Sequence, residues 1–205
     1  MTRRFPIISL LMLSLVFSSC FKSTVTRKFY VIEPPQAAVA SSESPIFNLK
    51  VDVRDFQVAP AFDQTRIALR TASHELNYYY YHQWAVKPSQ GVANVVYDIV
   101  QRQKLFVNIT RGISYNPNYL ITGEVKNIER RHVRKKAFAK VHLILTLADA
   151  ETGKAVVQLD ESEEREIRKD GAMNSFAEAV SDMISIMSQR FGDAIIAELS
   201  LKSNP

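Results

Sequence analysis

The stretch "RIALRTASHELNYYYYHQWAVKPSQGVANVVYDIV" (residues 66–100) contains both kinds of secondary structure that we expect in this chain. Its first half holds two β-prone runs, which the small residues Ala72 and Ser73 separate, so it predicts a β-hairpin. Its second half opens with a proline, Pro88, which is favoured in the first turn of a helix. Residues at three- and four-residue spacing predict the buried face of that helix: Val92, Val95, Val96, Ile99 and Gln103.

Further strands are predicted on both sides of this stretch. Residues 46–56, "IFNLKVDVRDF", alternate so that one face of a strand is apolar. The run "KLFVNIT" (residues 104–110) predicts a strand directly after the helix. Near the N-terminus, the short run Phe29–Ile32 is β-prone and is stopped by Pro34 and Pro35.

The second half of the chain predicts a meander of three strands followed by a long helix. The strands are residues 119–128, 138–147 and 155–167, with a turn at 151–154 between the last two. Asp170 is a candidate cap for a helix over residues 172 to 201. Strands, helix, strands and helix in this order predict an α/β fold: a mixed, largely antiparallel sheet with two amphipathic helices packed on it.

The N-terminus has the layout of a secretory signal peptide, residues 1–19. Arg3 and Arg4 precede the apolar run Phe5–Phe17, and two small residues follow it. The run is shorter than the about 20 residues that a membrane-spanning helix needs. The alternative is an uncleaved anchor.

Cys20 is the single cysteine, so the chain has no internal disulfide and no cysteine-based zinc site. Small residues followed directly by a cysteine resemble the lipobox of bacterial lipoproteins, although Phe17 stands where Leu is usual. That resemblance implies that lipid is attached to Cys20, and more than one acyl chain makes such anchoring stable. It also implies the outer membrane, because Phe21 rather than Asp follows the cysteine. We expect residues 20–44 to be a lipidated tether with a short strand, and residues 45–205 to be the domain.

No catalytic or cofactor motif is visible in the sequence. The chain has no Walker A loop, no GxGxxG and no GxSxG, and none of its four histidines is in an HExxH arrangement. We therefore expect a protein that is not an enzyme, with no cofactor and no metal. A formal net charge of +5 at pH 7 is mild, so it does not indicate nucleic-acid binding.

A basic cluster, "RRHVRKK", is predicted at the tip of a hairpin and contains Arg130, Arg131, Arg134, Lys135 and Lys136. It either protects a sheet edge from aggregation or contacts anionic lipid headgroups or an acidic partner. The acidic run "ESEERE" (residues 161–166) lies in the next strand and would neutralise part of the cluster if the meander pairs in order.

Four consecutive tyrosines, Tyr78, Tyr79, Tyr80 and Tyr81, precede Trp84 in one predicted strand. Regular alternation would place two tyrosines on each face. These rings either build one aromatic core face or leave an exposed aromatic strip for a partner or acyl chains.

Together these residues resemble the ABC-type transport auxiliary lipoprotein family. Its signature is a strand that ends in an arginine, a small polar turn, a strand with a tyrosine pair, then a tryptophan and an amphipathic helix. The matching positions here are Arg70, Ser73, Glu75, Leu76, Tyr78, Tyr79 and Trp84. The "FYVIEPP" run after Cys20 also fits the family.

The resemblance implies a fold related to the N-terminal domain of the translocation protein TolB. It implies a non-enzymatic component on the periplasmic face of a Gram-negative outer membrane. There it would serve a transport system that contains ABC transporter subunits or a mammalian-cell-entry (MCE) domain protein and moves phospholipid or another hydrophobic substrate. The resemblance also allows a homo-oligomer, and it gives no role for nucleic acid.

Two other functions stay open at this stage. One is a lipoprotein regulator that binds and activates a cell-wall synthase, for which a long tether would be favourable. A tether of about 25 residues reaches less than about 100 Å even when fully extended. The other is a hydrolase with a scattered site, which would need a strongly perturbed carboxylate or histidine in a pocket.

Overall fold

The computed structural model describes residues 26–35, 44–112, 115–167 and 172–203. The signal peptide, Cys20 and Asp170 lie outside these ranges. The described residues form nine strands and two helices: β1 (Lys28–Tyr30), β2 (Phe47–Val53), β3 (Gln57–Val58), β4 (Arg66–Ala72), β5 (Glu75–Trp84), α1 (Pro88–Arg102), β6 (Phe106–Arg111), β7 (Tyr119–Val133), β8 (Lys136–Asp149), β9 (Ala155–Glu166) and α2 (Met173–Ser203).

The strand β7, which has 15 residues, organises the sheet. One edge of β7 pairs antiparallel with β8 along its whole length, and β9 follows β8. The other edge of β7 pairs in parallel with three short segments in succession: β2, then β3, then β4. Beyond β7 the sheet therefore divides into two branches, β2–β6 and β4–β5–β1.

The predicted fold class, an α/β mixed sheet with two helices, is confirmed. Within the described ranges the antiparallel ladders are the long ones, β7–β8 and β8–β9 above all. Parallel pairs are nevertheless more frequent than the sequence indicated, because β2, β3 and β4 all run parallel to β7. Alternation along a strand reports which face is buried and does not report the direction of its neighbour.

The predicted apolar faces form the core between the sheet and the helices. The inward row of β8 is fully buried and consists of Ala139, Val141, Leu143, Leu145 and Leu147. The predicted face of α1 is buried as well, from Val92 to Gln103. The stripe of α2 is buried from Met173 through Phe191 to Leu199.

The helix α1 begins as its sequence indicates. Lys87 has an extended backbone (ψ 146°) and Pro88 occupies the first turn. At the other end, the side chain of Gln103 is buried against α2, where its Nε2 donates to the carbonyl of Gln189 at 3.3 Å. Gly192 lets the helices approach closely, because a Cβ added there would lie only 1.9 Å from Oε1 of Gln103.

The N-terminal segment 28–35 lies on the body of the domain. The predicted short strand is found at Lys28–Tyr30, where it pairs in parallel with β5 at the edge of the sheet. Ile32 is 5% exposed. The backbone N–H of Glu33 donates to Oγ of Ser181 in α2 at 3.2 Å. No helix among the described residues is both long and apolar enough to cross a bilayer.

Candidate functional site

A wide bulge in β5 determines where the four tyrosines lie. Arg66 pairs with Gln83, and Ala68 pairs with Tyr78. Between these two pairs β4 has one residue and β5 has four, so the regular alternation of faces is interrupted. Two tyrosines, Tyr78 and Tyr79, are partly buried and two, Tyr80 and Tyr81, are exposed, but the members of each pair are consecutive and do not alternate.

The consequence of the bulge is an exposed aromatic pair at the β5–β1 edge. Tyr80 is 61% exposed and Tyr81 is 41% exposed, and their rings meet edge-to-face with centroids 4.9 Å apart. The guanidinium of Arg27 lies over the Tyr80 ring at 5.6 Å, in cation–π contact. We call Arg27, Tyr80 and Tyr81 the aromatic edge. Arg27 was not predicted as a site residue, since no signal in the sequence places it beside Tyr80.

The other two tyrosines, Tyr78 and Tyr79, make hydrogen bonds within the domain. The hydroxyl of Tyr78 donates to the carbonyl of Ala61 at 2.9 Å, and Arg66 lies over its ring at 5.0 Å. The hydroxyl of Tyr79 accepts a hydrogen bond from Nη1 of Arg130 at 3.0 Å. Both rings are partly buried against the core.

Two of the residues predicted to contact a partner or lipid are buried. Trp84 is 2% exposed and packs on Phe176 of α2, with ring centroids 5.6 Å apart. Arg130 is 8% exposed, and its Nη1 lies 3.1 Å from the sulfur of Met173 as well as beside Tyr79. Neither side chain is placed to contact a partner directly, so we assign neither to the binding surface.

The basic cluster is divided between strands and turn. Its first residues extend β7 to Val133, beyond the predicted end at Ile128, and only Arg134 and Lys135 form the turn. The strand was predicted too short because a run of charges resembles a loop. The strand β7 carries a buried charge next to the cluster as well. The carboxylate of Glu129 is 1% exposed and is paired with Arg70 of β4.

Acidic residues of β9 neutralise part of this cluster, as predicted. Nη1 of Arg131 lies 2.6 Å from Glu164, and Nζ of Lys136 lies 2.8 Å from Glu166. Exposed pairs of this kind contribute about 0.2–1 kcal/mol each. The basic surface that remains at the hairpin tip consists of Arg134 and Lys135, which are both exposed.

A histidine, His82, follows the two exposed tyrosines directly in β5. Nδ1 of His82 is 2.9 Å from the hydroxyl of Tyr30, and its ring meets Tyr79 edge-on at 5.5 Å. Burial, and then the positive charges of Lys28 and Arg130, lower the pKa of His82 from its ordinary value of 6.5. Burial raises the pKa of the Tyr30 hydroxyl, so this group stays protonated at neutral pH.

An open groove of about 590 Å³ runs between the N-terminal segment and α2. Exposed Phe29 and Val31 line one wall, and Ala177, Ser181 and Asp182 line the other. In the described part of the chain, no group of three His, Cys, Asp or Glu residues is placed to hold a metal ion. The groups gathered at the β5–β1 edge and the hairpin tip are aromatic and cationic. Such groups recognise surfaces by stacking, cation–π contact and charge.

Comparisons with known proteins identify the family and the fold. The family model for the ABC-type transport auxiliary lipoprotein component matches residues 30–191. The comparison with curated protein sequences finds no match. Among solved structures, a DUF330 protein from Xanthomonas campestris is similar with a TM-score of 0.74 and 16% identity, over 87% of this chain and 99% of that one. A second crystal structure, of an uncharacterized protein, has a TM-score of 0.66 and 13% identity, over 83% and 99% of the two chains.

Proposed function

Because the chain belongs to the ABC-type transport auxiliary lipoprotein family, we propose that it is a lipid-anchored docking component of a transport system. The lipid is attached to Cys20, on the periplasmic face of a Gram-negative outer membrane. The transport system contains ABC transporter subunits or an MCE-domain protein, and its cargo is phospholipid or another hydrophobic molecule. The protein acts without catalysis.

The observation that carries this proposal is the match to the family over residues 30–191, together with the exposed pair Tyr80 and Tyr81 that lies inside it. Tyr80 and Tyr81 are exposed side by side, although large apolar rings are usually buried. Tyrosine and arginine are enriched where binding energy is concentrated in protein interfaces. We therefore propose that the aromatic edge contacts the transport partner.

The shape of the groove beside α2 favours a docking role over an enclosed carrier. The groove beside α2 is open, and its lining alternates apolar residues with Glu33, Glu178 and Asp182. A site that shields a whole acyl chain from water would be concave and mostly apolar. The cargo is accordingly held by the partner, and this chain positions that partner at the membrane.

The experiment that tests the proposal is an affinity pulldown from detergent-solubilised membranes of the native bacterium, with Cys20 intact. We expect the wild type to recover an MCE-domain protein or an ABC permease. Replacing Tyr80→Ser and Tyr81→Ser should lower that recovery several-fold. The matched control is Tyr115→Ser, which removes a tyrosine that is 90% exposed elsewhere on the chain.

Two results would contradict the proposal. If a cell-wall synthase is recovered without any transporter subunit, the protein is a tethered activator of that enzyme. If transporter subunits are recovered equally with both tyrosines replaced, the system is right but the aromatic edge is not its docking surface.

A further inference from the structure

The strand pairing determines in which direction the N-terminal strand β1 runs relative to β7. β1 runs parallel to β5, β5 is antiparallel to β4, and β4 is parallel to β7, so β1 runs opposite to β7. Going from Lys28 back towards the N-terminus therefore leads towards the end of β7 at Val133. Two turns lie at that end of the sheet, Ser73–His74 and Arg134–Lys135. We call it the turn end.

The reach of the anchor is short compared with the sheet. Seven residue steps separate Cys20 from Arg27, which span at most about 25 Å. β7 has 15 residues and is roughly 50 Å long, and the register places Arg27 about level with Glu129, four residues from Val133 and ten from Tyr119. An anchor that leaves in the direction of β1 reaches the turn end. It does not reach a bilayer placed beyond the β8–β9 turn, at the opposite end.

The exposed charge at the turn end is mainly positive. Arg134 and Lys135 are exposed in the turn, and Arg27 and Lys28 are exposed where β1 begins. Of the acidic residues at this end, Glu166 is paired with Lys136, and Glu75 accepts a hydrogen bond from the side chain of Asn77. Basic residues held close to a bilayer are attracted by anionic headgroups.

We propose that the turn end faces the bilayer, with Arg134 and Lys135 against anionic phospholipid headgroups. The β8–β9 turn then points away from the membrane, and the aromatic edge faces sideways, where a partner can dock. This orientation rests on the proposed function, because it takes the lipid on Cys20 as given. A short anchor at one point and a basic turn at a second point hold the domain in one orientation.

Energy transfer to the membrane tests the orientation. The full-length, lipidated protein is reconstituted in vesicles of phosphatidylethanolamine and phosphatidylglycerol that contain a headgroup-labelled acceptor. A donor dye is attached to one new cysteine, in Ser73→Cys or in Glu151→Cys, since the thiol of Cys20 is consumed by its lipid. We expect several-fold more efficient transfer from position 73 than from position 151. Equal or reversed efficiencies would overturn the orientation.

A charge variant tests the headgroup contact. Arg134→Gln combined with Lys135→Gln should reduce the difference between the two dye positions, whereas Lys154→Gln, at the opposite end, should leave it unchanged. In vesicles of phosphatidylcholine alone, the double variant and the wild type should behave alike. If the double variant matches the wild type in anionic vesicles, the headgroup contact is wrong.

The mass of the same protein separates this inference from the proposed function. A protein without the diacylglyceryl and acyl masses on Cys20 would refute the anchor and the orientation together. A lipidated protein with equal transfer from both positions would refute the orientation alone.

Discussion

Nε of Arg70 donates to both carboxylate oxygens of Glu129, at 2.8 and 2.9 Å, and this pair joins β4 to β7 inside the sheet. Glu129 is almost completely buried, whereas a quarter of the Arg70 side chain is exposed. The hydrogen bond to Glu129 is the main cause that raises the pKa of Arg70. In the described part of the chain, Arg70 is thus the cation that balances this buried carboxylate.

We predict that Arg70→Leu lowers the free energy of unfolding by about 3 kcal/mol, because it leaves a buried carboxylate without its cation. The double variant with Glu129→Leu should recover much of that loss. Urea unfolding measures both. The control is Arg190→Ala, which breaks the more exposed pair with Glu161 and should cost less than about 1 kcal/mol. A double variant as unstable as the sum of its single variants would contradict this account.

The second prediction concerns the hydroxyl groups of neighbouring tyrosines. Tyr79→Phe removes an acceptor from the buried guanidinium of Arg130 and should cost about 1.5–3 kcal/mol, as expected for a hydrogen bond to a charged group. Tyr78→Phe removes a neutral bond to Ala61 and should cost about 0.5–1.5 kcal/mol. Tyr80→Phe should leave the unfolding midpoint unchanged. Equal losses at all three positions would show that the burial of Arg130 does not depend on Tyr79.

The third prediction concerns Gly123 in β7, which lies under the ring of Phe56. A Cβ at Gly123 would come within 2.5 Å of that ring, and Phe56 is only 3% exposed. Gly123→Ala should therefore cost about 1–3 kcal/mol through overpacking, and adding Phe56→Leu should cost less than the sum of the two changes.

The matched control for this substitution is Gly91→Ala in α1. A Cβ at Gly91 has its nearest neighbour at 3.4 Å, so alanine can be accepted there. Alanine should then stabilise the helix by up to about 1 kcal/mol. Thermal unfolding of both variants distinguishes them by sign, and a stable Gly123→Ala protein would refute the packing argument.

The fourth prediction is a loss of stability in mild acid through His82. Its pKa is lowered in the folded protein, so between the lowered value and 6.5 the unfolded chain binds a proton that the folded chain does not. The free energy of unfolding therefore falls as the pH drops below about 6.5. Protonation would also make Nδ1 of His82 solely a donor in its hydrogen bond with the Tyr30 hydroxyl, which links β1 to β5.

Melting temperatures at about pH 7.5 and about pH 5.5 measure this effect. His82→Gln should lose less stability between the two values than the wild type. His132, whose pKa is lowered by burial and by Arg130, contributes in the same direction. The melting temperature of a variant with both histidines replaced should therefore change even less between the two pH values. An undiminished loss in the double variant would assign the acid sensitivity to other groups.

Regular periodicity was enough to predict most elements. The spacing from Val92 to Ile99 and the alternation from Ala139 to Leu147 each match the buried face that the structure contains. Both faces arise from local geometry, in which every third or fourth residue of a helix, or every second residue of a strand, shares one side. The class of fold follows from these elements and their order.

The candidate site was harder to predict because it depends on departures from that regularity. Nothing in "YYYY" reveals that β5 has four residues where β4 has one, and this bulge leaves Tyr80 and Tyr81 exposed. Similarly, Arg130 resembles a surface residue in a basic run, yet Tyr79 and Met173 accommodate it inside the protein. These partners are distant in the chain, so the local pattern does not contain them.

The shared strand β7 also determines when the chain can fold. β2 and β4 precede β7 in the chain, so they are synthesised or translocated well before it. Neither strand can pair with β7 until residues 119–133 have emerged. Pairings between such distant segments make folding slow and leave apolar strand edges uncovered in the meantime. A chain cut before β7 would consist of two unconnected strand groups, which are candidates for aggregation or capture by a holding chaperone. Synthesis of this one strand is therefore the step that joins the two strand groups into a single sheet.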